Sequence, residues 1–124
     1  MQLSKGEEQI MEFLWQLEQA YMKDLIEAFP DLKKPKATTV ATLLKRMQDK
    51  EAVAYHTHGN SRAYYPLISK NDYFSQQVKG MINNFFGGST TQFASFFTSA
   101  TEMSKEELED LRRMVDQEIK KKKP

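Results

Sequence analysis

The spacing at which hydrophobic residues recur changes twice along this chain, and these two changes constrain the fold more than any other feature of the sequence. Up to Lys50, hydrophobic residues recur at steps of three and four, as on one face of an α-helix. Over residues 53–67 they alternate with polar residues, which is typical of strands. From Ser69 onward the helical period returns. The sequence therefore predicts a mainly α protein with one small β-hairpin between two groups of helices.

Two helices are predicted at the start of the chain. Ser4 and Glu7 have the spacing of a capping box, in which each side chain bonds the backbone amide of the other residue. The first helix therefore begins there and runs to about Leu17. A shorter helix is expected over residues 21–29, and Pro30 ends it because proline disfavours helical backbone in the preceding residue.

A third helix, expected over residues 37–50 with Thr38 or Thr39 as its cap, has two contrasting faces. The hydrophobic face carries Val40, Leu43, Leu44 and Met47. The opposite face carries short and cationic side chains: Thr38, Thr39, Ala41, Thr42, Lys45 and Arg46. Short hydroxyl side chains let a helix approach base edges, and Lys or Arg then reach guanine acceptors or phosphates. We predict that this face contacts DNA; an ordinary solvated face is the alternative.

The alternating segment is interrupted at Gly59 and Asn60, two residues that tolerate the positive φ of hairpin tips, with Arg62 close by. Helix, short helix, basic helix and hairpin follow one another in the order of a winged helix-turn-helix. In that fold the third helix enters the major groove and the hairpin, or wing, lies along the flanking backbone. Residues 1–70 are therefore predicted to form a DNA-binding domain.

Charge is distributed unevenly, although the formal net charge is only +1. Residues 7–31 contain seven acidic residues and one basic residue, whereas residues 33–62 contain seven basic and two acidic residues. This polarity would orient the third helix and the wing towards a polyanion. A winged-helix adaptor that binds proteins without reading DNA is the main alternative, but it has no need of such polarity.

Three further helices are predicted after the hairpin. Gly87-Gly88 ends the first, Ser89 or Thr90 can cap the second, and Ser104 and Glu107 repeat the capping-box spacing at the start of the third. Six of the eight phenylalanines lie in this part of the chain, which is more aromatic surface than three short helices can bury alone. Residues 71–124 are therefore predicted to form a three-helix region that makes a homodimer. The residues assigned to dimerisation are Phe85, Phe86, Phe93, Phe96, Phe97, Leu108, Leu111 and Val115.

Other classes of function find little support in the sequence. The chain has no cysteine, so thiolate metal sites and cysteine nucleophiles are excluded. His56 and His58 could supply two metal ligands, but two ligands do not make a site. We interpret them instead as wing residues near the DNA backbone, and no metal or other cofactor is expected. No combination of acid, base and nucleophile indicates an enzyme. No segment resembles a signal peptide or membrane helix, so we expect a cytoplasmic protein.

Four segments are informative when they are considered together. They are TTVATLLKRM at residues 38–47 with Lys50, the hairpin ending in Tyr64-Tyr65, NFFGG at residues 84–88, and SKEELEDL at residues 104–111. Together they resemble the penicillinase-repressor family, which includes the methicillin-resistance regulator. The resemblance implies a dimeric winged-helix repressor that reads a palindromic operator, with the carboxy-terminal helices interlocked in the dimer. It also places Thr38, Thr39, Thr42 and Arg46 on the DNA-facing side of the third helix, and Arg62 and the wing tip near phosphate.

The chain departs from the family pattern at three points. Ala41 stands where family members often have arginine, so a different operator preference is expected. The resemblance implies that a membrane sensor-protease system relieves repression by cleaving an Asn-Phe bond in the dimerisation helices, where this chain has Ser95-Phe96. The copper-sensing branch uses a carboxy-terminal cysteine cluster, which this chain lacks.

A further alternative to the DNA-binding repressor is a regulator that responds to a small molecule bound in a pocket among the phenylalanines. A dimer core would explain the same aromatic residues.

Overall fold

The computed structural model describes residues 1–122, so Lys123 and Pro124, the last two residues of the predicted dimerisation region, lie outside the described residues. The elements follow the predicted order. They are α1 (Lys5–Leu17), α2 (Met22–Ala28), α3 (Ala37–Asp49), β1 (Val53–His58), β2 (Ser61–Pro66), α4 (Lys70–Phe85), α5 (Thr90–Ala100) and α6 (Lys105–Lys121), with a short 3-10 turn at Asp31–Lys33. The chain divides into two compact units, of which the first ends at Gln77 and the second begins at Val78.

The capping boxes predicted for the first and last helices are confirmed. The Ser4 amide donates to Glu7 Oε1 at 2.7 Å, and the Glu7 amide donates to Ser4 Oγ at 3.2 Å. Ser104 and Glu107 form the same pair of bonds at α6. Each box satisfies backbone donors that the first helical turn leaves unpaired. Each therefore fixes where its helix begins.

The prediction that Thr38 or Thr39 caps α3 is wrong. The cap residue is Lys36, whose carbonyl oxygen accepts from the amides of Thr39 and Val40, and no side chain caps the helix. The chain becomes helical directly after Pro35-Lys36, which places both threonines inside the first turn. The predicted helix over residues 21–29 is one residue shorter at each end, because Tyr21 and Phe29 are extended.

The core of the first unit lies between α1, α2, α3 and the hairpin. Its fully buried side chains include Ile10, Leu14, Leu25, Leu44 and Met47, drawn from all three helices. Burial of apolar surface of this kind is the main stabilising contribution to a small domain. The hydrophobic stripes predicted from the sequence therefore form one contiguous core.

Trp15 and the start of α4 join this core from the side. The Trp15 indole Nε1 donates to the Ile68 carbonyl oxygen at 2.9 Å, and its ring centroid lies 6.0 Å from that of Tyr73. Tyr73 is fully buried and donates its hydroxyl to Glu8 Oε2 at 2.5 Å. Burial, followed by this bond to a carboxylate, raises the pKa of Tyr73 to about 12. The first turn of α4 is thereby fixed to α1.

The hairpin is antiparallel, with Val53 opposite Pro66 and His58 opposite Ser61. Gly59 adopts φ +61° in the two-residue turn, a conformation that glycine reaches without steric cost. One residue of the α1–α2 connection extends the sheet: the Ala20 amide donates to the Tyr64 carbonyl oxygen at 2.9 Å, and the Tyr64 amide donates back at 2.8 Å. The turn before α2 is therefore attached to the wing.

The second unit holds the later residues of α4 together with α5 and α6. Aromatic rings pack within it, because the Phe86 centroid lies 5.5 Å from those of both Phe93 and Phe96. Gly87 and Gly88 adopt positive φ after α4 and end that helix as predicted. Among the described residues of α5 and α6, none is buried. No helix within residues 1–122 has the length and apolarity needed to cross a membrane.

Candidate nucleic-acid interface

The two faces of α3 separate as the sequence predicts. Val40, Leu44 and Met47 are fully buried on the inner face. The outer face is exposed over all six residues that the sequence assigns to DNA contact: Thr38, Thr39, Ala41, Thr42, Lys45 and Arg46. We call this set the reading face. It presents small side chains over the first two turns and cations over the third, so the backbone can approach a groove most closely at its amino end.

Two threonines of the reading face are linked along the helix. Thr42 Oγ1 donates to the Thr38 carbonyl oxygen at 3.0 Å, a bond from residue i to residue i−4. This bond uses the hydroxyl proton of Thr42 and leaves its oxygen lone pairs free to accept. In this rotamer Thr42 therefore presents a hydrogen-bond acceptor and a methyl group at the surface.

Three of the seven bases in residues 33–62 are engaged within the protein. Lys34 Nζ donates to the carbonyl oxygens of Glu27 and Phe29, both at 3.0 Å, at the carboxyl end of α2. Lys50 pairs with Glu7, and Lys45 pairs with Asp49 at 3.0 Å. The local excess of positive charge counted from the sequence therefore overstates what is available to DNA. The Lys45–Asp49 pair is exposed, so a phosphate can compete for Lys45 at little cost.

The other basic residues of this region, Lys33, Lys36, Arg46 and Arg62, have no ion-pair partner within residues 1–122. Arg62 is nevertheless held in place: its Cζ lies 4.3 Å from the centroid of the Tyr55 ring on the paired strand. Such a cation–π contact orients the guanidinium without neutralising its charge.

A groove of about 740 Å³ runs between the reading face and the wing. We call it the wing groove. It is lined from the reading face by Ala41 and Lys45 and from the wing by Arg62, and its other lining residues are Tyr21, Met22, Lys23, Gln48, His58, Asn60, Ser61 and Tyr64. From the sequence, His58 and the wing tip with Asn60 were expected near the DNA backbone, and the remaining lining residues were not assigned to DNA contact. They meet because Ala20 pairs with Tyr64 and brings the start of α2 beside the wing, a long-range pairing with no local sequence signal.

The two histidines have separate surroundings. The His56 ring stacks on Tyr65 with centroids 4.6 Å apart, while the His58 ring meets Tyr21 edge-on at 6.3 Å. Within residues 1–122, no group of three or more side chains is placed to hold a metal ion.

The side chains assigned to dimerisation are distributed over α4, α5, α6 and the turn after α4. Phe85 is 79% exposed and Phe96 is 56% exposed, whereas Phe86, Phe93 and Leu111 are half-buried. A groove of about 410 Å³ on α6 is lined by Leu111 and Val115 of the predicted set and also by Met114, Glu118, Ile119 and Lys122. Met114 and Ile119 were not assigned, although they continue the hydrophobic pattern of α6. Ser95 and Phe96, the predicted cleavage pair, are both exposed within α5.

A sequence model of the family described as "Penicillinase repressor" matches residues 3–117. The chain belongs to the penicillinase repressor family. It is 24% identical over 122 residues to the penicillinase repressor of Bacillus licheniformis, covering 98% of this chain and 95% of that protein. It is also 24% identical over 115 residues to the methicillin resistance regulatory protein MecI of Staphylococcus aureus (strain N315), covering 93% and 94% of the two chains.

A solved structure supports the same assignment. The solution structure of the DNA-binding domain of the repressor BlaI matches with a TM-score of 0.52 and 26% identity, covering 58% of this chain and 88% of that one. As a member of the penicillinase repressor family, the chain is a DNA-binding winged-helix transcriptional regulator. The family comprises transcriptional repressors, not enzymes. The resemblance, the fold class and the DNA-binding function predicted from the sequence are thereby confirmed, and the adaptor alternative is not supported.

Proposed function

We propose that this repressor binds a palindromic operator as a homodimer and that the reading face of α3 enters the major groove of each half-site. In this proposal, residues 1–70 bind DNA and residues 71–124 hold the dimer together. The observation that carries it is the exposure of all six residues of the reading face on a helix whose opposite face buries Val40, Leu44 and Met47 in the core. A helix in this position of a winged helix-turn-helix is the one that contacts base edges.

The reading face divides into two parts by chemistry. Thr38, Thr39, Ala41 and Thr42 are short enough to bring the backbone close to the bases, where hydroxyl groups bond base edges and methyl groups contact thymine. Lys45 and Arg46 reach further, and a bidentate arginine contact to guanine is the commonest specific contact in DNA recognition. Arg62, held against Tyr55, contacts the flanking phosphates.

Homodimer formation is supported by the unburied apolar surface of the second unit. Phe85, Phe96, Val115 and other apolar residues there are 40% exposed or more, and within the described residues α5 and α6 bury no side chain. Exposed apolar surface of this extent is typical of interaction sites rather than of monomers. Association through a two-fold axis would match the symmetry of a palindromic operator. The partner is therefore a second copy, which buries the Phe85, Phe86, Phe93, Phe96, Phe97, Leu108, Leu111 and Val115 set.

Repression is relieved, in this proposal, when the Ser95-Phe96 bond is cleaved. A membrane sensor-protease system supplies the signal. Both residues are exposed. The bond lies in the middle of α5, however, and a protease needs an extended chain in its active site. Cleavage would therefore require local unwinding of α5, which favours the bond being cut when the dimer interface opens.

The proposal is tested by titrating the protein, with fluorescence anisotropy, against the intergenic DNA upstream of its own gene and against a scrambled duplex of equal length and composition. The titrations are made at two salt concentrations. We expect tighter binding to the native duplex and a steep decrease of affinity with salt, as phosphate contacts release counterions. Equal affinity for the two duplexes would contradict recognition of that site.

A further inference from the structure

The wing groove has a lining that suits a negatively charged ligand. Lys23 comes from α2, Lys45 from α3 and Arg62 from β2, so three elements each contribute a cation. Tyr21, Asn60 and Ser61 add hydrogen-bond donors. Among the described residues that line it, there is no aspartate or glutamate. Within residues 1–122, the carboxylate that pairs with a lining cation is that of Asp49, which is exposed and does not line the groove.

His58 contributes the imidazole side chain of the wing groove. It ends β1, directly before the turn, and its side chain is exposed. The other ionisable groups that line the groove are Tyr21, Tyr64, Lys23, Lys45 and Arg62. Lysine, arginine and tyrosine side chains do not ordinarily titrate between pH 6 and pH 8. Histidine side chains gain their positive charge in this interval.

The position of His58 is set by the fold rather than by a flexible loop. The ring meets Tyr21 edge-on at 6.3 Å. Tyr21 follows Ala20, which is bonded to Tyr64 of the wing, and the Tyr21 amide donates to Asp24 Oδ2 at 2.9 Å. The imidazole therefore packs beside Tyr21 and lines the same groove as the three cations.

We infer that the wing groove binds a phosphodiester of the DNA backbone and that His58, once protonated, is a direct contact to it, so that DNA affinity rises as the pH falls below neutrality. This inference rests on the proposed function. The phosphate stabilises the imidazolium, and by linkage the protonated protein binds DNA more tightly. A phosphate contact carries no sequence information, so the gain is the same for any duplex.

The test measures affinity for the native intergenic duplex and for its scrambled counterpart at pH 8 and pH 6, each at two salt concentrations. The proteins are the wild type, His58→Gln, His58→Lys and the matched control His56→Gln. His56 lies two residues earlier on the same strand but stacks on Tyr65 and does not line the groove. His58 is exposed, and circular dichroism spectra of the four proteins check that the fold is kept.

For the wild type and His56→Gln we expect affinity for both duplexes to rise about fivefold per protomer between pH 8 and pH 6. The salt dependence should steepen by about one counterion per protomer over the same interval. His58→Gln should lose both changes, and His58→Lys should bind at pH 8 with the steeper salt dependence that the wild type reaches at pH 6.

Retention of the full pH dependence by His58→Gln, or its absence in the wild type, would overturn the inference. A gain confined to the native duplex would also overturn it, because that result indicates a base contact. These results are separable from the proposed function, which depends on the preference for the native duplex at pH 8. An inference that fails while this preference remains leaves the operator-binding proposal intact.

Discussion

Lys50, at the carboxyl end of the reading helix α3, places its Nζ 2.6 Å from Oε1 of Glu7 in the first turn of α1. Glu7 is 1% exposed and is also a member of the capping box that begins α1. The same ammonium group donates to the Gln2 carbonyl oxygen at 2.9 Å. A single cation therefore fixes the end of the reading helix to the start of the chain.

Glu7→Gln tests this link. Glutamine can still complete the capping box, so the change removes the charge and keeps the cap. We expect the free energy of unfolding to fall by about 1 to 2 kcal/mol, less than for a fully buried pair because Lys50 remains partly exposed. Urea denaturation measures the change. Glu107→Gln, at the equivalent position of the exposed capping box, is the matched control and should have little effect. Equal effects of the two substitutions would contradict a role for the ion pair.

The Glu7 ion pair should also make stability depend on pH in the acid range. Burial opposes the charge of Glu7, but its bonds to Lys50 and Ser4 outweigh that effect and hold its pKa below the ordinary value of 4.5. Because the pKa is lowered in the folded protein, the stabilisation is present above the ordinary pKa and is lost as the pH falls through the lower one. The stability difference between wild type and Glu7→Gln should therefore shrink as the pH falls from above 4.5 into the acid range below it. A difference that stays constant over urea denaturations in this range would exclude the effect.

Arg46→Ala should weaken binding to the native duplex by about 1 to 3 kcal/mol while leaving the scrambled duplex less affected, if Arg46 contacts a base. Arg62→Ala provides the contrast. A phosphate contact predicts a similar loss on both duplexes and a salt slope reduced by about one. Anisotropy titrations of the two variants side by side distinguish these roles. Unchanged affinity of Arg46→Ala would remove this residue from the interface.

Phe96→Asp should shift the protein towards monomer, because it places a charge where the proposed dimer buries an aromatic ring. Operator affinity should fall as well, since two linked half-sites bind more tightly than one. Sedimentation velocity measures the association state. Thr91→Asp adds the same charge at an exposed polar position of α5 and should leave the dimer intact. A stable dimer of the Phe96→Asp variant would contradict the assignment of this residue to the interface.

The sequence predicted those features that depend on neighbouring residues. The capping boxes at Ser4 and Ser104 follow from a spacing of three residues, and the reading face follows from the helical period. Features that depend on distant residues carry no such signal. The Glu7–Lys50 pair spans 43 positions, and this pair and the bonds of Lys34 remove cations that the charge count assigned to DNA.

The cap of α3 was mispredicted for a related reason. Threonine is a good cap residue, but the extended backbone at Lys36, directly after Pro35, starts the helix two residues before Thr39. The wing groove likewise could not be predicted, because the lining residues Tyr21 and His58 meet only through the pairing of Ala20 with Tyr64.

That pairing has a consequence for protein engineering. The two hydrogen bonds between Ala20 and Tyr64 make the α1–α2 connection a one-residue third strand of the wing. The hairpin is therefore not a separable module. A chimera that exchanges only residues 53–66 with another family member would pair the Ala20 carbonyl and amide with a foreign strand. A chimera that exchanges residues 19–21 together with the hairpin would transfer the whole sheet.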